Sequence, residues 1–447
     1  PKKSARDALK CDTESLRPLS KRNRTHLPAL KVHNLTTMVL IRKLSRFLQV
    51  ETNAVLRCSG ATQWIFAPLV GNMQKLHSSS VASQTVQPKT GILMLNMGGP
   101  RSSSEVHDFL SRLFQDRDII QLPMQKYLGA WIAKRRTPDI IKKYNEIGGG
   151  SPIFKWTDLQ GKLMCEKLDK LRPESAPHRH YVAFRYARPL TDEALTSMES
   201  DGVEHCIAFS QYPQYCCSTT GSSMNAIHAH YAAKKEPTNM RWSVIDRWCT
   251  NPHLVRCFAE NIRSELEKFP EDKRKEVFIL FSAHSVPMKQ IDKGDPYPSE
   301  IGATVQLVMK ELDFCNPFRL VWQSKVGPLP WLSPSTESTI EGLVKRGKKN
   351  LLLVPIAFTN DHIETLHELD IEYARDLGTK VGAEKIRRCP SPNDHPLFIE
   401  ALVDEVTRHL ETGHKCSEQF LNNCPICDHA SCYNAKKWFR HITQKFN

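Results

Sequence analysis

The stretch Val277-Phe278-Ile279-Leu280-Phe281-Ser282-Ala283-His284-Ser285-Val286-Pro287 decides the fold. It is a short apolar run rich in Phe and Ile with no turn residue before Pro287, which reads as a buried strand of a parallel sheet. It delivers His284 to the strand's carboxyl end, where open α/β sheets place their ligand crevices. Taken alone, the stretch has a plainer alternative: a core histidine bonded to a backbone carbonyl.

Outward from it the same grammar repeats. Gly91-Ile-Leu-Met-Leu-Asn96 is a second continuous apolar strand; it runs into the turn Met97-Gly98-Gly99-Pro100 and then a helical pattern from Ser104 to Leu110. The G-x-G-x-x-G spacing is missing, so the Gly-Gly pair reads as a tight turn rather than a phosphate cradle. Further strands are predicted at His180–Phe184, His205–Phe209, Trp242–Ile245, Arg319–Trp322 and Asn350–Phe358, with amphipathic helices over Asn251–Lys268 and Pro298–Leu312 between them. Strand-helix alternation on this scale predicts an α/β fold: two similar doubly wound, Rossmann-like parallel-sheet halves over 89–240 and 241–415. Residues 1–88 and 416–447 stand outside them, as a basic N-terminal segment and a cysteine-rich C-terminal extension.

Charge separates these parts. Residues 1–90 hold 15 Lys/Arg against 4 Asp/Glu, +11 of a total +14, which leaves +3 for the other 357 residues. A nearly neutral folded part gives no support to nucleic-acid binding. Within the basic segment, Met38-Val-Leu-Ile-Arg42-Lys43-Leu-Ser-Arg46 mixes apolar and basic residues in a helical rhythm, with no acid between Glu14 and Glu51. With the Ser-rich tract that follows, it suits a mitochondrial transit peptide, the alternative being a disordered basic tail.

Three local patterns carry candidate chemistry. Leu110 to Arg136 forms an apolar lip, with Met124, Tyr127, Leu128 and Trp131 leading into Lys134-Arg135-Arg136; such a pattern suits a membrane interface or a flat apolar ligand, or helices that pack as core. Downstream of the last strong strand, Asp361 and Glu364 have capping-box spacing, a purely structural reading. That leaves Glu368 and Glu372, which with Glu364 repeat every four residues and stack three carboxylates on one helical face; the row is useful if it passes a cation or protons. Last, Cys424-Pro-Ile-Cys427-x4-Cys432 has spacing for zinc or an iron–sulfur cluster and needs a fourth ligand, with Cys416, His429 and a distant cysteine such as Cys217 as candidates.

The motifs Gly91–Pro100, Gly148-Gly-Gly-Ser-Pro152, Gln211-Tyr-Pro-Gln-Tyr215, Phe281-Ser-Ala-His-Ser285, Leu320–Pro328 and Pro355–Glu364, in this order, resemble animal mitochondrial ferrochelatases. That family inserts Fe2+ into protoporphyrin IX, releasing two protons, as the terminal step of haem synthesis. The resemblance implies a chelatase-like porphyrin cleft between the two halves. His284 matches the family's proton acceptor or metal donor beside the pyrrole nitrogens, a task suited to an imidazole titrating near working pH. Glu364 faces it, with Asp361 and His362 alongside, and Glu368 and Glu372 match an acidic relay for metal or protons. Met97, Leu110, Leu113, Ile132, Arg136, Tyr144, Ser151, Trp331 and Phe358 match positions lining the porphyrin cleft, where Arg136, Tyr144 and Ser151 meet propionates. Arg185 and Tyr186 match a pair near the side by which metal enters. The resemblance assigns a [2Fe-2S] cluster to Cys217, Cys424, Cys427 and Cys432, which selects the distant cysteine over Cys416. It also implies a homodimer docked on the matrix face of the inner mitochondrial membrane.

Three departures from the family pattern stand out, beside one match at Asp404. A histidine credited with function is Asn251 here, followed by Pro252; Asp139 replaces a basic residue near Arg136; Asp404 matches an acidic position credited with function; and Cys216 adds a potential ligand beside Cys217. These changes allow an alternative reading, a catalytically impaired porphyrin- or haem-binding relative that keeps the cleft.

Overall fold

The computed structural model describes residues 87–234 and 238–443. The transit-peptide reading of residues 1–88 therefore falls almost entirely outside the described residues.

Among the described residues, eight parallel strands form two four-stranded sheets. The first contains β1 (Thr90–Asn96), β2 (His178–Phe184), β3 (His205–Ser210) and β4 (Arg241–Ile245) in the order β2-β1-β3-β4. The second contains β5 (Phe278–His284), β6 (Phe318–Gln323), β7 (Asn350–Pro355) and β8 (Lys385–Arg388) in the order β6-β5-β7-β8. The two orders are the same connectivity used twice, as the two-half reading requires. In each, the chain leaves the central strand to one side and then returns to the other, so each sheet has a switch point, between β1 and β3 and between β5 and β7.

The strand quoted at the outset is β5, and it runs through the middle of its sheet with Ile279, Leu280, Phe281 and Ala283 fully buried. Two expectations need correction. The strand at 241–245 pairs with β3 and closes the first sheet, so the halves part after Ile245 rather than at 240; its alternating small and large residues fit either sheet, and pairing with β3 settles the matter. Strand β8 was not predicted, because Lys-Ile-Arg-Arg shows the charge of an edge strand and not the apolar run of a central one. The halves are not independent bodies. One continuous core joins Ile92, Met94, Ile207 and Phe209 of the first sheet to Ile279, Phe281 and Leu352 of the second. At the seam, Trp248 packs its ring on Phe209 and Phe398, at 5.7 and 5.9 Å.

The lip folds as two helices, α1 (Val106–Gln115) and α2 (Gln125–Glu146). They pack closely because Gly129 lets them: a Cβ there would lie 2.6 Å from the carbonyl oxygen of Phe114. Leu110, Phe114, Ala133 and Tyr144 form their shared core, while Met124, Tyr127 and Trp131 face outward, 77%, 74% and 57% exposed. Among the described residues no helix is long and apolar enough to cross a membrane.

Candidate functional site

The switch point of the second sheet brings His284, His362 and Glu364 together. His284 ends β5, and its Nδ1–H donates to the carbonyl of Ser285 at 2.5 Å. His362 follows β7, and its Nδ1–H donates to the carbonyl of Asn360 at 2.9 Å. With both Nδ1 atoms committed as donors, both rings turn Nε2 toward one carboxylate: His284 Nε2 lies 3.6 Å from Glu364 Oε1, and His362 Nε2 lies 3.6 Å from Glu364 Oε2. A neutral imidazole in this tautomer presents a lone pair, so it can accept a proton; once protonated, it faces the charge that stabilises it. The electrostatics agree. Burial alone would raise the Glu364 carboxyl, but His284 and then His362 outweigh it and hold the group at about 2, below its ordinary 4.5. Burial alone would lower His362, and Glu364 outweighs that, leaving it raised. Phe358 is 8% exposed and sets its ring 5.1 Å from that of His362, giving the pair an apolar wall.

The capping-box alternative is overturned. The helix here, Glu364–Leu377, is a wide π-helix with no side-chain cap, a form found mostly as single turns and often at functional sites. Asp361 instead serves as an anchor: its carboxylate accepts from Thr365 Oγ1 at 3.0 Å, Arg388 Nη1 at 2.9 Å and Asn393 Nδ2 at 2.8 Å. Arg388 also forks onto Asp370 at 2.7 and 2.9 Å, tying the π-helix to β8. Glu368 accepts from Gln323 Nε2 at 3.0 Å, Tyr373 Oη at 2.9 Å and Ser324 Oγ. Its carboxyl is raised, first by burial and then by the charge on Glu364. Glu372 ends the row in a 2.5 Å ion pair with Lys143 of α2.

The sequence-matched cleft residues divide. Met97 follows β1, Trp331 sits on the loop that bridges back to Pro287, and Ser151 packs behind Gly99, whose Cβ would lie 2.8 Å from the Ser151 hydroxyl. Leu110, Leu113, Ile132 and Tyr144 pack with one another inside the lip, and Ile363 of the π-helix corner joins them. Tyr144 is close enough to Glu364 that burial and then that charge raise its hydroxyl. Arg136 is exposed, its guanidinium 5.8 Å from the Phe114 ring, and Asp139 reaches only Lys142, at 4.0 Å on the surface. Arg185 and Tyr186 both meet Asp116, the guanidinium by an ion pair and Tyr186 Oη by a 2.6 Å hydrogen bond. Asp404 lies elsewhere, between Asn251 Nδ2 at 2.8 Å and Arg408 Nε at 3.0 Å, and is not among the residues gathered around Glu364. Asn251 caps the helix Pro252–Glu267, its Oδ1 accepting from the backbone of His253 and Leu254. Pro252 takes the first helical position, where its missing N–H costs nothing, so the helix starts normally.

At the other end, the Cys217 thiol hydrogen-bonds Cys424, which holds the Cys424 thiol down at about 6 against burial, with Lys436 assisting. Cys427 and Cys432 follow on the same loop and the start of the helix Ala430–Ile442, all four half-buried. The four thiols come from two chain segments; Cys424 is the one drawn down, whereas the bond to Cys424 raises Cys217 and burial raises Cys432. Among the described residues no group of three or more His, Cys, Asp or Glu side chains is placed to hold a metal ion, so the cluster assignment rests on the spacing and the resemblance. Cys216 does not compete: it is buried in the main core, its sulfur accepting from Gln290 Nε2 at 3.2 Å. His429 points away, toward Asp118 at 3.4 Å.

Two residues went unassigned from sequence. Tyr212, inside the quoted Gln211–Tyr215 motif, donates to Asn96 Oδ1 at 2.9 Å and accepts from Met97 N–H at 2.8 Å, fixing the mouth of the first sheet. Gln160 has its amide between Asn360 and the carbonyl of Asn393, bracing the loop that carries His362. The first had a motif to flag it; the second, a lone polar residue in a helix, had no signal.

The family model described as Ferrochelatase matches residues 89–410. The mitochondrial ferrochelatase of Drosophila melanogaster is 58% identical over 356 residues, 80% of this chain and 93% of its own length. That of Xenopus laevis is 55% identical over 407 residues, 90% and 98% of the two. A solved structure titled SirB from Bacillus subtilis with Fe3+ aligns with a TM-score of 0.42 and 11% identity, over 73% of this chain and 99% of that one.

Proposed function

The chain belongs to the ferrochelatase family, and from that premise we propose that it inserts Fe2+ into protoporphyrin IX to form protohaem, releasing two protons, in the mitochondrion. The observation that carries this reading is the pair of imidazole Nε2 atoms held on one carboxylate at a sheet switch point. Metallation needs a group that takes pyrrole protons without itself staying charged in isolation. His284 accepts the proton at Nε2, its ring fixed by the Ser285 carbonyl, and Glu364 stabilises the imidazolium that results. His362 keeps the carboxylate ionised and in place. The reaction is that of a lyase.

The finer assignments belong to the same proposal. Met97, Trp331 and Phe358 would cover the macrocycle, with Leu110, Leu113 and Ile132 shaping the lip behind them; Arg136, Tyr144 and Ser151 would meet the propionates, and Arg185 and Tyr186 the side by which metal enters. Cys217, Cys424, Cys427 and Cys432 would hold a [2Fe-2S] cluster, whose binding would add folding energy to the C-terminal extension. Exposed Met124, Tyr127 and Trp131, bordered by Lys134, Arg135 and Arg136, suit docking on the matrix face of the inner membrane, and a homodimer accords with the family.

One preparation tests both parts. Purified under anaerobic conditions and given Fe2+ and protoporphyrin IX, the protein should develop the Soret band of haem; porphyrin bound with no haem formed would sink the enzyme reading. The same sample should be brown, and Cys427→Ser should bleach it, whereas a colourless protein carrying zinc would refute the cluster.

A further inference from the structure

The row of carboxylates has an outer end, and the structure puts a cation on it. Glu372, at the outer end, is 36% exposed against 27% for Glu364. Its Oε1 meets Lys143 Nζ at 2.5 Å and His367 Nδ1 at 3.3 Å. The other nitrogen of His367 faces Glu146 at 3.2 Å. Lys143 and Glu146 belong to the last turn of α2, the long helix of the lip, so the lip closes onto the π-helix through alternating charges: Lys143, Glu372, His367, Glu146. Inward of this point Glu368 is already saturated by Gln323, Ser324 and Tyr373. Glu372 is thus the carboxylate of the row most open to an arriving cation, and an ammonium already sits on it.

We infer that Lys143 is a tethered counter-ion which competes with divalent metal for Glu372 and so sets how readily metal enters the glutamate row. The inference rests on the metal-insertion reading above, takes the glutamate row as a route for metal besides the side of Arg185 and Tyr186, and adds a specificity residue from the lip. A monovalent ammonium on a flexible stem can be displaced, but an incoming cation must displace it, so the pair raises the metal concentration needed without blocking passage. Because Lys143 sits one residue from Tyr144, which packs in the lip core close to Glu364, movement of α2 moves the counter-ion too.

Lys143→Gln removes the charge and leaves a polar side chain one atom shorter. Its KM for Fe2+ should fall about fivefold, the size an exposed ion pair supports, with KM for porphyrin in the wild-type range. Lys143→Arg should behave as wild type, and on a Glu372→Gln background Lys143→Gln should change KM for Fe2+ by less than twofold. A metal KM that rises or stays fixed in Lys143→Gln overturns the inference, as does the same drop without Glu372. A second readout needs no turnover: Mn2+ titrated by electron paramagnetic resonance, with no porphyrin present, should bind Lys143→Gln about fivefold more tightly than wild type. If wild type makes no haem, the metal-insertion reading fails by itself, and the Mn2+ titration still decides the role of Lys143.

Discussion

The two sheets have the same strand order and present equivalent switch points, yet they use them in opposite ways. In the first, Asn96 and Met97 at the end of β1 meet Tyr212 after β3 through neutral hydrogen bonds of 2.7 to 2.9 Å, and each of these groups has a partner. In the second, His284 at the end of β5 meets Glu364 after β7 across 3.6 Å, too long for a hydrogen bond, between groups that ionise. A repeated fold supplies two equivalent positions and does not dictate their chemistry. One is satisfied internally by neutral hydrogen bonds; the other faces ionisable groups across a gap and can react.

The sharpest way to break this comparison is His284→Ala. Removing a general base at the reacting atoms costs about 10²- to 10⁴-fold, so haem formation should fall by that factor. Porphyrin binding, followed by fluorescence quenching, should persist because the apolar walls come from other residues. Loss of both together would mean that His284 supports the cleft, and the two switch points would then be alike.

The opposite corner predicts the opposite split. Tyr212→Phe removes a donor from Asn96 Oδ1 and an acceptor from the Met97 N–H, which retains Asn96. We expect a loss of about 1–2 kcal/mol in urea unfolding and a rate within a few fold of wild type. A rate loss as large as that of His284→Ala, with stability intact, would place Tyr212 in the chemistry and not in the frame.

The same contrast explains what could be read from sequence. Apolar runs such as Ile92–Leu95 and Val277–Phe281 announce buried parallel strands, and both halves followed from them. Strand β8 did not, since its pairing with β7 gives no apolar signature. Glu364, Glu368 and Glu372 were visible as a spacing, but a spacing cannot say which carboxylate faces a histidine, which is saturated by neighbours and which meets a lysine 229 residues away. The lip divides: Leu110 and Tyr144 are core, while Met124, Tyr127 and Trp131 face out, a split that a pattern of apolar residues alone does not show. The family resemblance supplied roles where pattern alone supplied only candidates. At Asp361 neither shows that the carboxylate accepts from three donors and anchors the loop.

The smallest expected effect tests the electrostatics of the reactive corner directly. Glu364 is held at about 2 against an ordinary 4.5, so it adds stability that is present above pH 4.5 and lost as pH falls toward 2. His362 is shifted the other way, above its ordinary 6.5; its share is full below 6.5 and lost as pH rises through its raised value. Both shares coexist only between about pH 4.5 and 6.5, and Glu364→Gln removes both, since His362 owes its shift to Glu364. With the pair part-exposed and 3.6 Å apart, the difference should be about 1 kcal/mol or less. Urea midpoints of wild type and Glu364→Gln should therefore diverge most near pH 5.5 and converge toward pH 3 and pH 9. A gap that stays constant across that range would mean the carboxylate acts through packing alone, and the second switch point would be as structural as the first.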